Sequence, residues 1–217
     1  THPDLGALKK AITSNEQRTI TFKKPSEAAA VVNDYQLIVL YQPDRSFNGV
    51  FSEIDKLKKN TFVITGLETD WNFLNSAQNN FEKEITQQTE DVQGILNGSY
   101  GTFAVADIDF GNYPPLHTLF GGLSVTVPHE VMLEQSINGI AAGSPMLATM
   151  EINGKRDAIW DGEGFWRWRA NAYLQNESFQ QFDDFIGNLV QYLASNKRRS
   201  RLEVQAESFY YNNNAIK

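Results

Sequence analysis

The chain has 217 residues, 41% hydrophobic and 21% charged, the make-up of an ordinary globular protein long enough to bury a core without staples. A formal charge of −7 repels phosphate backbones, so no nucleic-acid partner is expected, and the absence of cysteine excludes disulfides, thiolate metal sites and thiol catalysis. No run approaches the roughly 20 apolar residues that span a bilayer, so no direct membrane insertion by this chain is expected.

The chain opens on a helix start, with Thr1 or His2 at the cap, Pro3 in the first turn and Asp4 facing the dipole, ahead of the apolar stripe Leu5, Leu8 and Ile12. Arg18 to Phe22 alternates like a short strand. The continuous run Gln36 to Tyr41 predicts a central strand buried on both faces, ending at Gln42-Pro43-Asp44. Val50, Phe51, Ile54 and Leu57 predict a helix, and Thr61 to Thr65 a second buried strand closing on Gly66. Asp70 to Phe81, capped by Asp70, and Ile85 to Leu96 read as mostly helical.

From Gly98 to about residue 128 the texture turns to Gly, Pro and aromatic residues, which predicts a β-rich insertion packed on the main sheet. Met146 to Ile152, the turn Asn153-Gly154 and Lys155 to Trp160 carry the signature of a tight hairpin. Phe165 to Leu174 predicts a short helix, and Phe179, Phe182, Phe185, Ile186, Leu189, Val190 and Leu193 a long one packed on the sheet. Lys197, Arg198, Arg199 and Arg201 follow at its end, then an alternating Leu202 to Ala206 and an Asn-rich tail. Alternation of helix and strand predicts a single α/β domain built on a doubly wound, mainly parallel sheet with helices on both faces.

The stretch Asp161 to Arg169 follows a predicted strand and opens a predicted helix, where open α/β sheets hold their sites. Glu163 would project at the sheet edge, while Arg167 and Arg169 supply donors able to grip a carboxylate. The functional reading is an acidic-plus-basic pocket formed by Asp161, Glu163, Trp166, Arg167 and Arg169. In the packing alternative the tryptophans are anchors on which the arginines stack while pairing with Asp161 or Glu163. Gly66 to Asp70 holds the equivalent turn of the earlier strand, where Glu68 or Thr69 takes the position of a nucleophile with no base in view, or simply caps a helix.

The three histidines, His2, His117 and His129, lack the helical spacing of a zinc motif. Asp107 and Asp109 suit the solvent side of a strand better than a cation site, and neither metal nor cofactor is expected. Asn97-Gly98-Ser99 and Asn176-Glu177-Ser178 match the glycosylation sequon, a short pattern that matters only in a secretory setting.

The helix after His2-Pro3-Asp4, the segment LIVLYQP (Leu37 to Pro43), Pro114-Pro115-Leu116, and above all GEGFWRWR (Gly162 to Arg169) followed by VQYL (Val190 to Leu193) resemble an uncharacterised family. Its members are large membrane-anchored Bacteroidetes proteins, often labelled von Willebrand factor A-domain-like, with a class I glutamine-amidotransferase-like domain outside the cytoplasm. The resemblance implies a flavodoxin-like sandwich whose first strand precedes His2, with Arg201 to Val204 leading toward a further domain. It also implies a location on the periplasmic face of the inner membrane, with other domains of the same protein or a cell-envelope protein as partners.

Amidotransferases use a Cys-His-Glu triad, whereas here the Gly66 turn has no cysteine and the strand ending at Asp161 keeps only Glu163, so glutamine hydrolysis through an acyl-enzyme is not available. The expectation is a non-catalytic ligand- or protein-interaction module whose surface lies near Glu68, Glu163, Trp166 and Arg167. The alternative is a hydrolase in which Glu68 or Glu163 acts as general base.

Overall fold

The structure, a computed structural model, describes residues 2–106 and 108–195. Helix α1 (Pro3–Ile12) begins on a proline, takes His2 as its cap and buries Leu8, Ala11 and Ile12. A short helix α2 (Pro25–Ala28) and a 3-10 turn lead into β1 (Leu37–Tyr41). Next come α3 (Asn48–Leu57), stopped by Lys58 in the left-handed region, and β2 (Asn60–Thr65), buried along its whole length. Asp70 caps α4 (Trp71–Ala77) by accepting the Phe73 N–H at 2.9 Å.

The short strand β3 (Phe81–Lys83) follows, then β4 (Thr89–Leu96), β5 (Leu116–Leu119) and β6 (Leu123–Val125). Two long strands, β7 (His129–Ile137) and β8 (Ile140–Ile152), precede β9 (Lys155–Asp161), and the helices α5 (Trp166–Asn176) and α6 (Gln180–Ala194) close the described chain.

The seven-stranded sheet runs in the order β1-β2-β9-β8-β7-β4-β5 and curls into a half-barrel. Only β1–β2 and β2–β9 pair in parallel; every other neighbouring pair is antiparallel. The expected flavodoxin-like, doubly wound parallel sheet is therefore wrong. A parallel neighbour needs a crossover, and β1-α3-β2 is the one place where a helix connects adjacent parallel strands. From residue 116 onward the chain instead makes tight reversals, and two of them are Asn-Gly turns at Asn138-Gly139 and Asn153-Gly154, all four residues at positive φ.

Several local expectations change with the sheet. The run Leu37 to Tyr41 is a strand, but it lies at the sheet edge rather than the centre. Arg18 to Phe22 is not a strand, because no neighbour offers it a ladder; Arg18 reaches Gln191 instead, at 2.8 Å. The helical reading of Ile85 to Leu96 fails because Thr89 to Leu96 pairs with both β5 and β7, and that pairing overrides local propensity. The β-rich insertion is divided: β5 forms the far edge of the main sheet, whereas β6 pairs with β3 in a separate two-stranded sheet. Asp109 stands in a loop and accepts Asn112 at 2.6 Å; Asp107, like Thr1 and everything after Ser195, including the Lys197 to Arg201 cluster and Leu202 to Ala206, lies outside the described residues.

Apolar layers cover both faces of the sheet. On one, α1, α5 and α6 pack on Phe62, Ile64, Ala158 and Trp160; on the other, α3 and α4 pack on Leu40, Val63 and Ile159. An aromatic pile fills the first layer, with Trp160 5.1 Å from Phe165 and 5.5 Å from Trp168, and Phe110 5.2 Å from Trp168. Each such ring removes roughly 150–250 Å² from water, which fixes α5 firmly on β9. No helix of the described residues is long and apolar enough to cross a membrane.

Candidate functional site

Strands β1, β2 and β9 run side by side in parallel, with Tyr41 opposite Ile64, Ile64 opposite Trp160 and Thr65 opposite Asp161, so their carboxyl ends form one edge. The loops that leave this edge carry Gln42, the Gly66 turn and the Gly162 to Phe165 bend. Gly162 donates to the Thr65 carbonyl at 3.2 Å, and Glu163 exchanges two backbone hydrogen bonds with His117 of β5, at 2.9 and 3.0 Å. The bend is thereby tied to β2 on one side and to β5 on the other.

Gln42 is the hub of the crevice. Its backbone takes the left-handed conformation (φ 47°), which turns the side chain across the edge. The amide oxygen accepts the Glu68 N–H at 2.8 Å, and the amide nitrogen donates to Glu163 Oε2 at 2.5 Å and to the Tyr41 hydroxyl at 3.0 Å. Glu163 Oε2 also accepts the Leu67 N–H at 3.0 Å. A Cβ on Gly66 would stand 2.3 Å from Glu163 Oε2 and 2.7 Å from Gln42 Nε2, so only glycine lets the turn approach this closely. Glu68 is exposed and joins the group through its backbone.

Beneath Glu163 lies a second acid. Asp4 is fully buried, and its carboxylate accepts Gly164 N–H at 2.7 Å, Trp166 N–H at 2.9 Å and the Tyr41 hydroxyl at 3.1 Å. Burial pushes the Asp4 carboxyl above its ordinary value, and the two backbone donors, His2 and Tyr41 oppose that rise. Burial, and then the Asp4 charge, push the Tyr41 hydroxyl far above the usual phenol range, so Tyr41 stays a neutral donor. His2 Nδ1 lies 2.7 Å from the Tyr41 hydroxyl and 3.3 Å from the Asp4 backbone nitrogen, and His2 Nε2 lies 3.8 Å from Glu163 Oε1.

Asp161 does not line the crevice. It is fully buried under the sheet edge and faces Lys83 Nζ at 2.7 Å, with Thr65, Thr118 and Gln135 donating at 2.9, 2.8 and 2.9 Å. Both side chains of the ion pair are 0% exposed. Such a pair persists only because each oxygen is hydrogen-bonded. Arg169 is also elsewhere: it grips Asp183 of α6 in a bidentate pair at 2.8 and 2.9 Å and lies 3.8 Å over the Phe179 ring.

The remaining candidates border the crevice. Arg167 donates to the carbonyls of Pro115 and Gly164, at 2.5 and 3.3 Å, and to His117 Nε2 at 3.2 Å, while His117 Nδ1 lies 2.5 Å from Asp91. Trp166 is 42% exposed, whereas Trp168 is buried and donates to the Pro114 carbonyl at 2.7 Å. The packing alternative thus describes Trp168 but not Trp166, and neither arginine pairs with Asp161 or Glu163. Among the described residues, no three of His, Asp and Glu gather as metal ligands would.

Glu163 joins the Gln42 network directly, Glu68 through its backbone, and Arg167 reaches His117 beside it, while Trp166 is tied by its backbone to Asp4; Asp161 is buried beneath the edge and Arg169 lies on Asp183 of α6. Sequence reasoning missed His2, Asp4, Tyr41, Gln42 and His117. The signal for Gln42 was its place directly after a strand, the position that Glu163 also nearly holds.

No family model matches the chain, and none of the curated proteins matches it. A solved structure described as "Cytoplasmic Protein STM1381 from Salmonella typhimurium LT2" shares the fold, with a TM-score of 0.61 at 11% identity over 89% of this chain and 87% of that one. The likeness reaches the fold alone. Because that protein is described as cytoplasmic, this architecture is no mark of an extracytoplasmic domain. The expected periplasmic location is withdrawn together with the flavodoxin-like sheet that accompanied it.

Proposed function

We propose that the chain is a binding protein whose ligand or partner docks on the crevice at the carboxyl ends of β1, β2 and β9, over Glu68, Glu163, Trp166 and Arg167. The observation that carries this reading is the hydrogen-bonded network at the strand ends, in which Gln42 joins Glu163, Tyr41 and the Glu68 N–H, with the exposed Glu68 and Trp166 and the half-buried Arg167 on the loops that form it. Exposed aromatic and arginine side chains are the usual anchors of recognition surfaces. The partner is a protein segment or small molecule that offers both donors and acceptors, and neither nucleic acid nor membrane lipid fits the charge of −7.

General-base hydrolysis by Glu68 or Glu163 draws less support. Glu163 Oε2 is committed to the Leu67 N–H and the Gln42 amide, which hold it in place. Two variants test the binding reading, Glu68→Ala and Trp166→Ala, both at exposed positions where the melting temperature should stay unchanged. Affinity capture from an extract of the native cells should lose its specific component in the double variant. Identical capture by the wild type and the folded double variant would place the binding surface elsewhere.

A further inference from the structure

Arg45, Arg156 and Arg169 each face a carboxylate, but Arg167, at the crevice edge, forms no ion pair with any described residue. It is half-buried, and none of its three partners is a carboxylate: the Gly164 carbonyl takes Nε, while the Pro115 carbonyl and His117 Nε2 lie against Nη2. The His117 ring is turned to accept because its Nδ1 proton is given to Asp91. Nη1, with two further N–H donors, makes no hydrogen bond to the described residues. A partly desolvated guanidinium with no carboxylate partner keeps an unmatched charge, and an anionic group completes it.

On the reading that the crevice binds a ligand, we infer that Arg167 receives a single carboxylate of that ligand. One carboxylate oxygen sits on Nη1 and the other takes Nη2 from His117, whose contact at 3.2 Å is the longer of the two on that atom. The planar fork of arginine matches a carboxylate in this way. A monoanion suits the place better than a dianionic phosphate, since Asp91 and Glu163 stand beside Arg167's partners and the whole chain is negative. Trp166, the residue before Arg167 in α5, is exposed.

The test titrates the full chain with N-acetylglycine, with neutral N-acetylglycinamide and with inorganic phosphate at constant ionic strength, following the Trp166 indole and His117 ring resonances. N-acetylglycine should give a saturable shift at both residues and the amide none. Arg167→Gln should weaken it about 10- to 100-fold, the loss of a charge-assisted contact. His117→Ala should leave affinity equal or higher. Should Arg167→Gln fail to fold, Arg167→Lys, which keeps the charge but not the fork, should still weaken binding about tenfold.

No saturable shift in the wild type, equal or tighter binding of phosphate, retention of affinity by the folded arginine variant, or loss of affinity in His117→Ala would each overturn the assignment. If N-acetylglycine fails while capture still depends on Glu68 and Trp166, the carboxylate site falls and the crevice reading stands. If N-acetylglycine binds through Arg167 while capture ignores Glu68 and Trp166, the reverse holds.

Discussion

The carboxylate of Asp4, in the first turn of α1, accepts the backbone N–H of Trp166, the first residue of α5, at 2.9 Å. No side chain of the residue before α5 caps that helix, so Asp4 satisfies its first N–H from another part of the chain. Replacing Asp4 by alanine orphans the N–H groups of Gly164 and Trp166 and takes one partner from the Tyr41 hydroxyl, and should lower stability by about 3 kcal/mol, read by urea unfolding.

The same carboxyl has a pH signature. Its native-state value is raised above the ordinary 3.8, chiefly by burial, so the folded protein holds this proton more tightly than the unfolded chain does. The Asp4 contribution is then fully present below that ordinary value and declines as pH rises through the raised one. The stability gap between wild type and Asp4→Ala should be wider at pH 4 than at pH 7. A gap that widens toward neutrality would mean that the backbone donors outweigh burial.

Lys83 and Asp161 form a pair with no solvent access. Lys83→Met leaves the Asp161 charge alone with Thr65, Thr118 and Gln135, and should cost about 3–5 kcal/mol. Adding Asp161→Asn removes that charge, so the double variant should regain part of the loss. A double-mutant cycle by urea unfolding measures the recovery, and additive losses would show that the two groups do not sense each other.

Gly66→Ala drives a methyl group into Glu163 Oε2 and Gln42 Nε2. The Leu67 N–H and the Gln42 amide must then let go of Glu163, and the protein should lose about 2 kcal/mol. Thermal unfolding gives the loss, and the Gln42 side-chain amide resonances should shift toward those of a solvated amide.

Arg169 was grouped with the site by its neighbours in sequence, yet it holds α5 to α6 through Asp183. Arg169→Ala should lower the melting temperature while leaving both capture and N-acetylglycine binding as in the wild type. Weaker binding in a folded Arg169→Ala protein would mean that the crevice extends along α5.

Much of the local structure was legible because periodicity is written in adjacent residues: α3 in Val50, Phe51, Ile54 and Leu57, β2 in its apolar run, the β8–β9 hairpin in Asn153-Gly154. Whether a strand lies at an edge, or pairs parallel, depends on segments far away. The apolar run Leu37 to Tyr41 is compatible with an edge because α1, α5 and α6 cover one of its faces and α3 the other. The Asn138-Gly139 turn carried the same signal as its partner and would have revealed β7. In the site, Glu163 and Arg167 stood out as charges in a glycine- and tryptophan-rich stretch. Asp4 passed as a helix-dipole residue and Lys83 as one more charge in Phe81-Glu82-Lys83-Glu84, since nothing nearby in sequence announces their burial.

The link from Asp4 to Gly164 closes a separation of 160 residues. At a translation rate of about 5–20 residues per second, roughly 10–30 s pass between synthesis of the two ends. Until then α1 has no acceptor role to fulfil, and its buried acid is an ordinary solvated carboxylate. Until Gly164 is made the network that joins Asp4 to Gly164 and Trp166 cannot form, and a nascent chain stopped before it holds Glu68 and Glu163 without Trp166 and Arg167.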